Sequence, residues 1–110
     1  MEIKDMIIMK DEFGKTPGSR YTKDGGFSGQ KFLDELLRPR FENAVVNVYI
    51  LLIDLDNVWG YPSSFVSGSF GKLSLEKGSD LLLKHIRFKS RDNPLREDII
   101  IAEIKKPTKK

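Results

Sequence analysis

One segment constrains this chain more than any other. From Val45 to Leu55, nine positions are apolar: Val45, Val46, Val48, Tyr49, Ile50, Leu51, Leu52, Ile53 and Leu55. The run is near-continuous rather than alternating, so neither face of an extended segment is left polar. A strand buried on both faces, in a parallel sheet covered by helices, has this signature. Its β-branched and aromatic content favours strand over a buried helix. Asp54 and Asp56 mark its end. Parallel strands need long crossover connections, usually helical, so the flanking sequence must supply helices.

The flanks do so. Ile3 to Met9 reads as a first strand near a sheet edge, because Lys4 and Asp5 interrupt its apolar residues. A turn-rich stretch follows, with Pro17-Gly18 suited to a type II turn and Ser19 to Thr22 as a short second strand before Asp24-Gly25. Ser28 is a good N-cap for a helix whose Phe32, Leu33, Leu36, Leu37 and Phe41 share one face. Pro39 lies inside that pattern and must kink the helix or end its regular part. Pro62-Ser63-Ser64 signals a second helix start, with Val66, Phe70 and Leu73 on one face and small residues between them for close packing. Leu82 to Lys89 reads as a further strand. Asn93-Pro94 then starts a last helix carrying Leu95, Ile99, Ile100 and Ile104, which Pro107 stops. Alternation of this kind predicts an α/β layer fold with a largely parallel sheet.

With 110 residues and 39% apolar content, the chain suits one globular domain. The reading places that domain at 1–104 and a basic tail at 105–110. The net charge is +3, yet the last six residues hold four lysines, which leaves the body with 15 basic and 16 acidic residues. A nucleic-acid binder usually carries a basic face on its folded body. The tail reads instead as solvated and frayed, and no nucleic-acid partner is expected. There is no cysteine, hence no disulfide, thiol nucleophile or thiolate metal site. No signal peptide or membrane span is visible, so a cytoplasmic protein is expected.

Few residues offer catalytic chemistry. Gly14-Lys15-Thr16 lacks the glycine a phosphate loop needs five residues earlier, where Met9 stands. Asp54 and Asp56, at a strand end, resemble the aspartate pair of haloacid-dehalogenase-like phosphatases, but Asn57-Val58 follows where that pattern has Gly-Thr. Strand-end aspartates more often hydrogen-bond the next turn. His85 is the single histidine, with no acid or nucleophile beside it; a structural role is expected, and a histidine-based metal site is not available. Neither a cofactor nor enzymatic activity is expected. Ser63 and Ser64 stand out. Capping accounts for one of them, and a phosphate there would meet free N–H groups and the positive end of the helix dipole. The aromatics Trp59, Tyr61 and Phe65 surround them.

The stretch Leu52-Ile53-Asp54-Leu55-Asp56-Asn57-Val58-Trp59-Gly60-Tyr61-Pro62-Ser63-Ser64-Phe65-Val66 resembles the signature of STAS domains, the sulfate-transporter and anti-sigma-factor-antagonist family. Pro62 replaces the motif aspartate and Phe65 the motif glycine. A divergent STAS-like group of unknown function, found in bacteria and phages, is closer. Pro17-Gly18-Ser19-Arg20, Gly26-Phe27-Ser28-Gly29, Gly60 to Phe65 and Phe70-Gly71 all resemble its pattern. The resemblance implies a mixed, largely parallel sheet of four to five strands with helices mainly on one face. It also implies a regulatory module that binds a histidine-kinase-like ATPase, with Ser64 as the phosphorylated switch and Ser63 as the cap. Trp59, Tyr61 and Phe65 would form the contact rim, and Arg20 is a possible anion ligand. The alternatives are a small-ligand or nucleotide sensor at the same strand-end crevice, and a phosphatase-like enzyme using Asp54 and Asp56.

Overall fold

The computed structural model describes residues 1–18, 20–24 and 26–109. Three strands form one parallel sheet in the order β1 (Ile3–Ile8), β2 (Ile50–Asp54), β3 (Ile86–Lys89). The central strand is the one the apolar run predicts. Register puts Asp5, Leu51 and Ile86 in one cross-strand row, and Ile7, Ile53 and Phe88 in the next. Apart from Asp5, these residues face the hydrophobic core. The alternate row of Met6, Leu52 and Arg87 leaves the other face open, with Met6 41% exposed.

Among the described residues the sheet has three strands, not four to five. One expected strand does not form and another is shortened. Ser19 lies outside the described residues, and Arg20 and Tyr21 form a bend before a 3₁₀ turn at Thr22–Asp24. Leu82 to Lys89 is half helix: α3 runs Ser79–His85 and hands over directly to β3. The cause is an ambiguity of spacing. Leu82 and Ile86 are four apart, which puts them on one face of a helix as readily as of a strand.

The apolar run also divides. Helix α1, residues 29–46, takes Val45 and Val46 as its last turn. Val48 then adopts φ 56°, rare for a β-branched residue, to turn the chain into β2. Val46 and Val48 are 79% and 62% exposed, so apolarity there does not reflect burial.

At its start α1 follows the capping expectation, for the Ser28 hydroxyl accepts the Lys31 N–H at 3.0 Å. Pro39 does not end the helix. Leu33–Leu37 widens into a π turn, with the Arg38 N–H reaching back to the Leu33 carbonyl. The wider turn shifts the register immediately before the residue that has no N–H to give, so Pro39 sits as it would in the first turn of a new helix. Phe32, Leu33, Leu37 and Phe41 are all fully buried.

Helix α2, residues 63–77, has the same device. Ser67–Gly71 is a π turn, and the Ser69 hydroxyl donates to the Phe65 carbonyl at 2.8 Å. The small residues let neighbours close in: Gly29 abuts Gly68, Gly68 abuts Arg20, and Gly71 abuts the Glu103 carboxylate. A methyl on Gly29 would lie 2.6 Å from the Phe65 carbonyl oxygen, which cannot swing away. Gly29→Ala gains at most about 1 kcal/mol in helix propensity. Forcing two helices apart costs about 1–3 kcal/mol. The variant is therefore expected to unfold at lower urea than the parent; an unchanged or raised midpoint would show that the helices part there without penalty.

Helix α4, Leu95–Lys105, buries Ile100 and Ile104 against the other helices but leaves Leu95 and Ile99 67% and 59% exposed. Asn93 caps it, its side chain accepting the Leu95 N–H at 3.2 Å. No helix among the described residues is long and apolar enough to cross a membrane.

The outer edge of β1 is closed by side chains. The Met6 N–H donates to Asp5 Oδ1 and the Ile8 N–H to Glu12 Oε2, each at 2.8 Å. Arg40 from α1 donates to the Met6 carbonyl at 2.7 Å and to both Asp5 oxygens at 2.6 and 3.0 Å, and it pairs with Glu12. Unpaired strand edges invite association with other chains, and this knot occupies the groups that would do so.

Candidate functional site

The candidate site lies where β2 ends and α2 begins. Both strand-end acids serve the backbone. Asp54 Oδ1 accepts the Asp56 N–H at 3.0 Å, and its other oxygen faces Lys89 at 3.4 Å. Asp56 Oδ1 accepts the N–H groups of Arg91 and Asp92 at 2.6 and 3.1 Å. Burial opposes ionisation of Asp56, but these donors prevail and hold its carboxyl below the usual value. Asp92 returns the bond by accepting the Asn57 N–H at 2.9 Å. The two loops at the carboxyl ends of β2 and β3 are thus stitched together, and the acids perform the turn chemistry that aspartates at strand ends favour.

Tyr61 completes the loop. Its hydroxyl donates to the Leu55 carbonyl at 2.9 Å, and burial pushes its pKa up, so the proton stays in place. Arg96 lies over the Tyr61 ring at 5.5 Å from the centroid and donates to the Trp59 carbonyl at 3.2 Å. Trp59 is anchored by its own N–H, which donates to the Lys15 carbonyl at 2.9 Å. Its side chain remains 82% exposed. Lys15 therefore meets Trp59 through its backbone, in a loop rather than a phosphate cradle.

The three aromatics part company here. Trp59 is open and Tyr61 half-buried, but Phe65 is fully buried. Its ring packs on Phe13 and Phe32 at 5.6 and 5.7 Å between centroids. Phe65 is therefore not a rim residue. It sits on the inward side of α2, where a ring gains more by burial than it could at a solvated edge.

Ser63 and Ser64 open α2 as expected, but Ser63 is not the cap. Pro62 holds that position and offers no side-chain acceptor, so no side chain at the cap meets the first N–H groups of this helix. Ser63 is exposed and Ser64 half-buried. Among the described residues neither hydroxyl has a hydrogen-bond partner.

Both serines line a cleft of about 290 Å³ with Arg20, Ser67, Glu103 and Thr108. Close packing of Gly68 on Arg20 holds the arginine there. Among the described residues its guanidinium has no hydrogen-bond or ionic partner. Glu103 does have one: Thr108 donates to it from the backbone N–H at 2.7 Å and from the hydroxyl at 3.0 Å. A second hollow of similar size shares Ser63 and Glu103 and adds Val66, Ile99, Ala102 and Lys106. The cleft thus combines two hydroxyls and a cation that have no partner among the described residues with a helix start.

Sequence reasoning located Arg20, Ser63 and Ser64, but not Ser67, Glu103, Thr108 or Arg96. Ser67 had a signal, since it lies one turn beyond Ser63. Glu103 and Thr108 had none, because nothing local to them points to a helix start forty residues away. His85, expected within a strand, is the last residue of a helix instead. It is buried at the end of α3, its Nδ1–H donating to the Tyr49 carbonyl at 2.9 Å. Among the described residues no group of three or more His, Asp or Glu side chains is placed to hold a metal ion.

The family described as a STAS-like domain of unknown function matches residues 28–96. That span includes α1, β2, α2, β3 and both serines, while Arg20, Glu103 and Thr108 fall outside it. No curated protein and no solved structure matches the chain.

Proposed function

The chain belongs to this STAS-like family, and from that premise we propose that it is a cytoplasmic, non-enzymatic regulatory module that binds a protein partner and is switched by phosphorylation of Ser64. The partner it suits is a histidine-kinase-like ATPase, as for the anti-sigma-factor antagonists the motif resembles. The observation that carries the reading is that the Ser64 hydroxyl, in the uncapped first turn of α2, shares a cleft with Arg20, and that neither group has a partner among the described residues. A phosphate brings about −1.5 to −2 charges and three acceptor oxygens. Uncapped N–H groups and an arginine are its natural partners within the chain. The exposed Trp59 supplies the contact area a partner would bury. A nucleotide or other small ligand is less well served, since the cleft is lined by Arg20, three serines, Glu103 and Thr108 and lacks the apolar walls that ligand pockets usually have. Phosphatase chemistry is less well served, since Asp54 and Asp56 each give one carboxylate oxygen to backbone N–H groups of the turns.

The test begins with the wild-type chain as bait in lysate of the native host and identification of the captured ATPase by mass spectrometry. Ser64→Asp and Ser64→Ala are then titrated against that ATPase by calorimetry. The fold tolerates a charge at this helix start, where anions gain about 0.3–1 kcal/mol. A charge carried into a desolvated contact costs more than that even when Arg20 meets it, because its hydration is lost. Ser64→Asp should weaken binding by about tenfold or more, while Ser64→Ala binds as the parent does. Equal affinities, with both variants folded, would reduce Ser64 to an ordinary helix-start residue.

A further inference from the structure

We infer that residues 106–108 form a strap that gates Ser64, with Glu103 as its latch. Lys105, Lys106, Thr108 and Lys109 are exposed, as a solvated tail would be, yet the segment does not fray at the end of α4. The Lys106 N–H still bonds the Ala102 carbonyl at 3.0 Å, Pro107 is half-buried, and Thr108 returns to Glu103 through two hydrogen bonds of 2.7 and 3.0 Å. Thr108 thereby becomes a wall of the cleft that holds Ser63 and Ser64, and Lys106 lines the neighbouring hollow that shares Ser63. Glu103 reaches this position because Gly71 has no Cβ; an alanine there would run into its carboxylate. Room for the latch is thus built into the π turn of α2.

The latch is reversible by its chemistry. Thr108 and Glu103 are joined through solvent-accessible groups, and such local contacts open far more often than the fold does. Unlatched, the strap uncovers Ser64; latched, it narrows the approach. Four lysines flank the latch residues or follow them, at 105, 106, 109 and 110. An anion arriving at the cleft would therefore be drawn to this basic segment and compete with Glu103 for the Thr108 donors. The inference takes from the proposed function only that Ser64 must be reached by another molecule.

The chain has no cysteine, so access to the cleft can be read directly. Ser64→Cys is reacted with N-ethylmaleimide, an uncharged reagent, in the parent background, with Glu103→Ala, and with Thr108→Pro. The second change removes both Thr108 donors outside α4, so it separates unlatching from damage to the helix. Ser79→Cys, at the start of α3, reports general loosening. Both unlatching substitutions should accelerate labelling at Ser64→Cys on the order of fivefold, with no change at Ser79→Cys. Equal rates at Ser64→Cys in all three backgrounds would overturn the strap, as would an equal acceleration at both cysteines. Labelling reads access alone. Its failure leaves the phosphoserine reading standing, and failure of the partner titration leaves the strap standing.

Discussion

Phe65→Ala is expected to lower the unfolding free energy by about 3–5 kcal/mol, the usual loss for truncating a buried phenylalanine. The ring is fully buried and touches Phe13, Phe32 and Tyr61 at centroid separations of 5.6, 5.7 and 6.2 Å. Each such pair contributes about 0.5–1.5 kcal/mol beyond the area it buries. The position also leaves little scope for collapse, since the Phe65 carbonyl is clamped between Gly29 and the Ser69 hydroxyl. A domain of this size has about 5–15 kcal/mol of stability, so the loss is a large share of the whole. Trp59→Ala is the control. That side chain is 82% exposed, and its removal should change stability by no more than about 0.5 kcal/mol. Urea denaturation of the two variants decides the matter. Near-equal effects would return Phe65 to the surface and with it the idea of a three-residue aromatic rim.

Arg40→Met should cost about 2–3 kcal/mol at neutral pH and remove part of the acid sensitivity of the fold. Hydrogen bonds to charged groups contribute about 1.5–3 kcal/mol each when sheltered. Arg40 makes several, but its side chain is 24% exposed and the set is partly screened, so the lower total is expected. Methionine keeps the stem that packs on β1 while leaving the Met6 carbonyl without its donor. The pH dependence follows from Asp5. The hydrogen bonds from Arg40 lower its pKa; burial opposes this, and the charge of Arg40 and the Met6 N–H assist it. A carboxyl held below its unfolded value stabilises the fold fully above that value, near 3.8, and loses the contribution as pH falls through the lower folded value. The gap between parent and variant should therefore be constant from neutral pH down to about pH 5 and shrink below about pH 4. Two stability curves that stay parallel down to pH 3 would show that Asp5 draws nothing from Arg40.

Much of the architecture was legible because burial imposes periodicity. Phe32, Leu33, Leu37 and Phe41 recur at helical spacing and are all in the core, as are Val66, Phe70 and Leu73 on α2. Asp54 and Asp56 announced turn chemistry and perform it. The motif from Leu52 to Val66 pointed to the family that the chain belongs to. Legibility failed where one pattern serves two structures. The run from Val45 to Leu55 has no period at all, so it could not reveal that its first two valines finish a helix. Ser63 beside Pro62 reads as a cap, yet proline takes the cap position and leaves both serines inside the first turn.

By itself, then, the chain's order of residues determined its alternation of strands and helices, the composition of its core, the central place of β2 and the helix start that presents two serines. These depend on neighbours within a few positions, where spacing and backbone chemistry act directly. Tertiary structure alone decided which aromatic is buried and which is free, that Arg40 closes the β1 edge, and that Arg20, Glu103 and Thr108 gather around Ser64. The burial of Phe65 and the gathering around Ser64 depend on how closely the elements around α2 approach. The approach is governed by Gly29, Gly68 and Gly71 meeting partners far along the chain, and no local pattern records it.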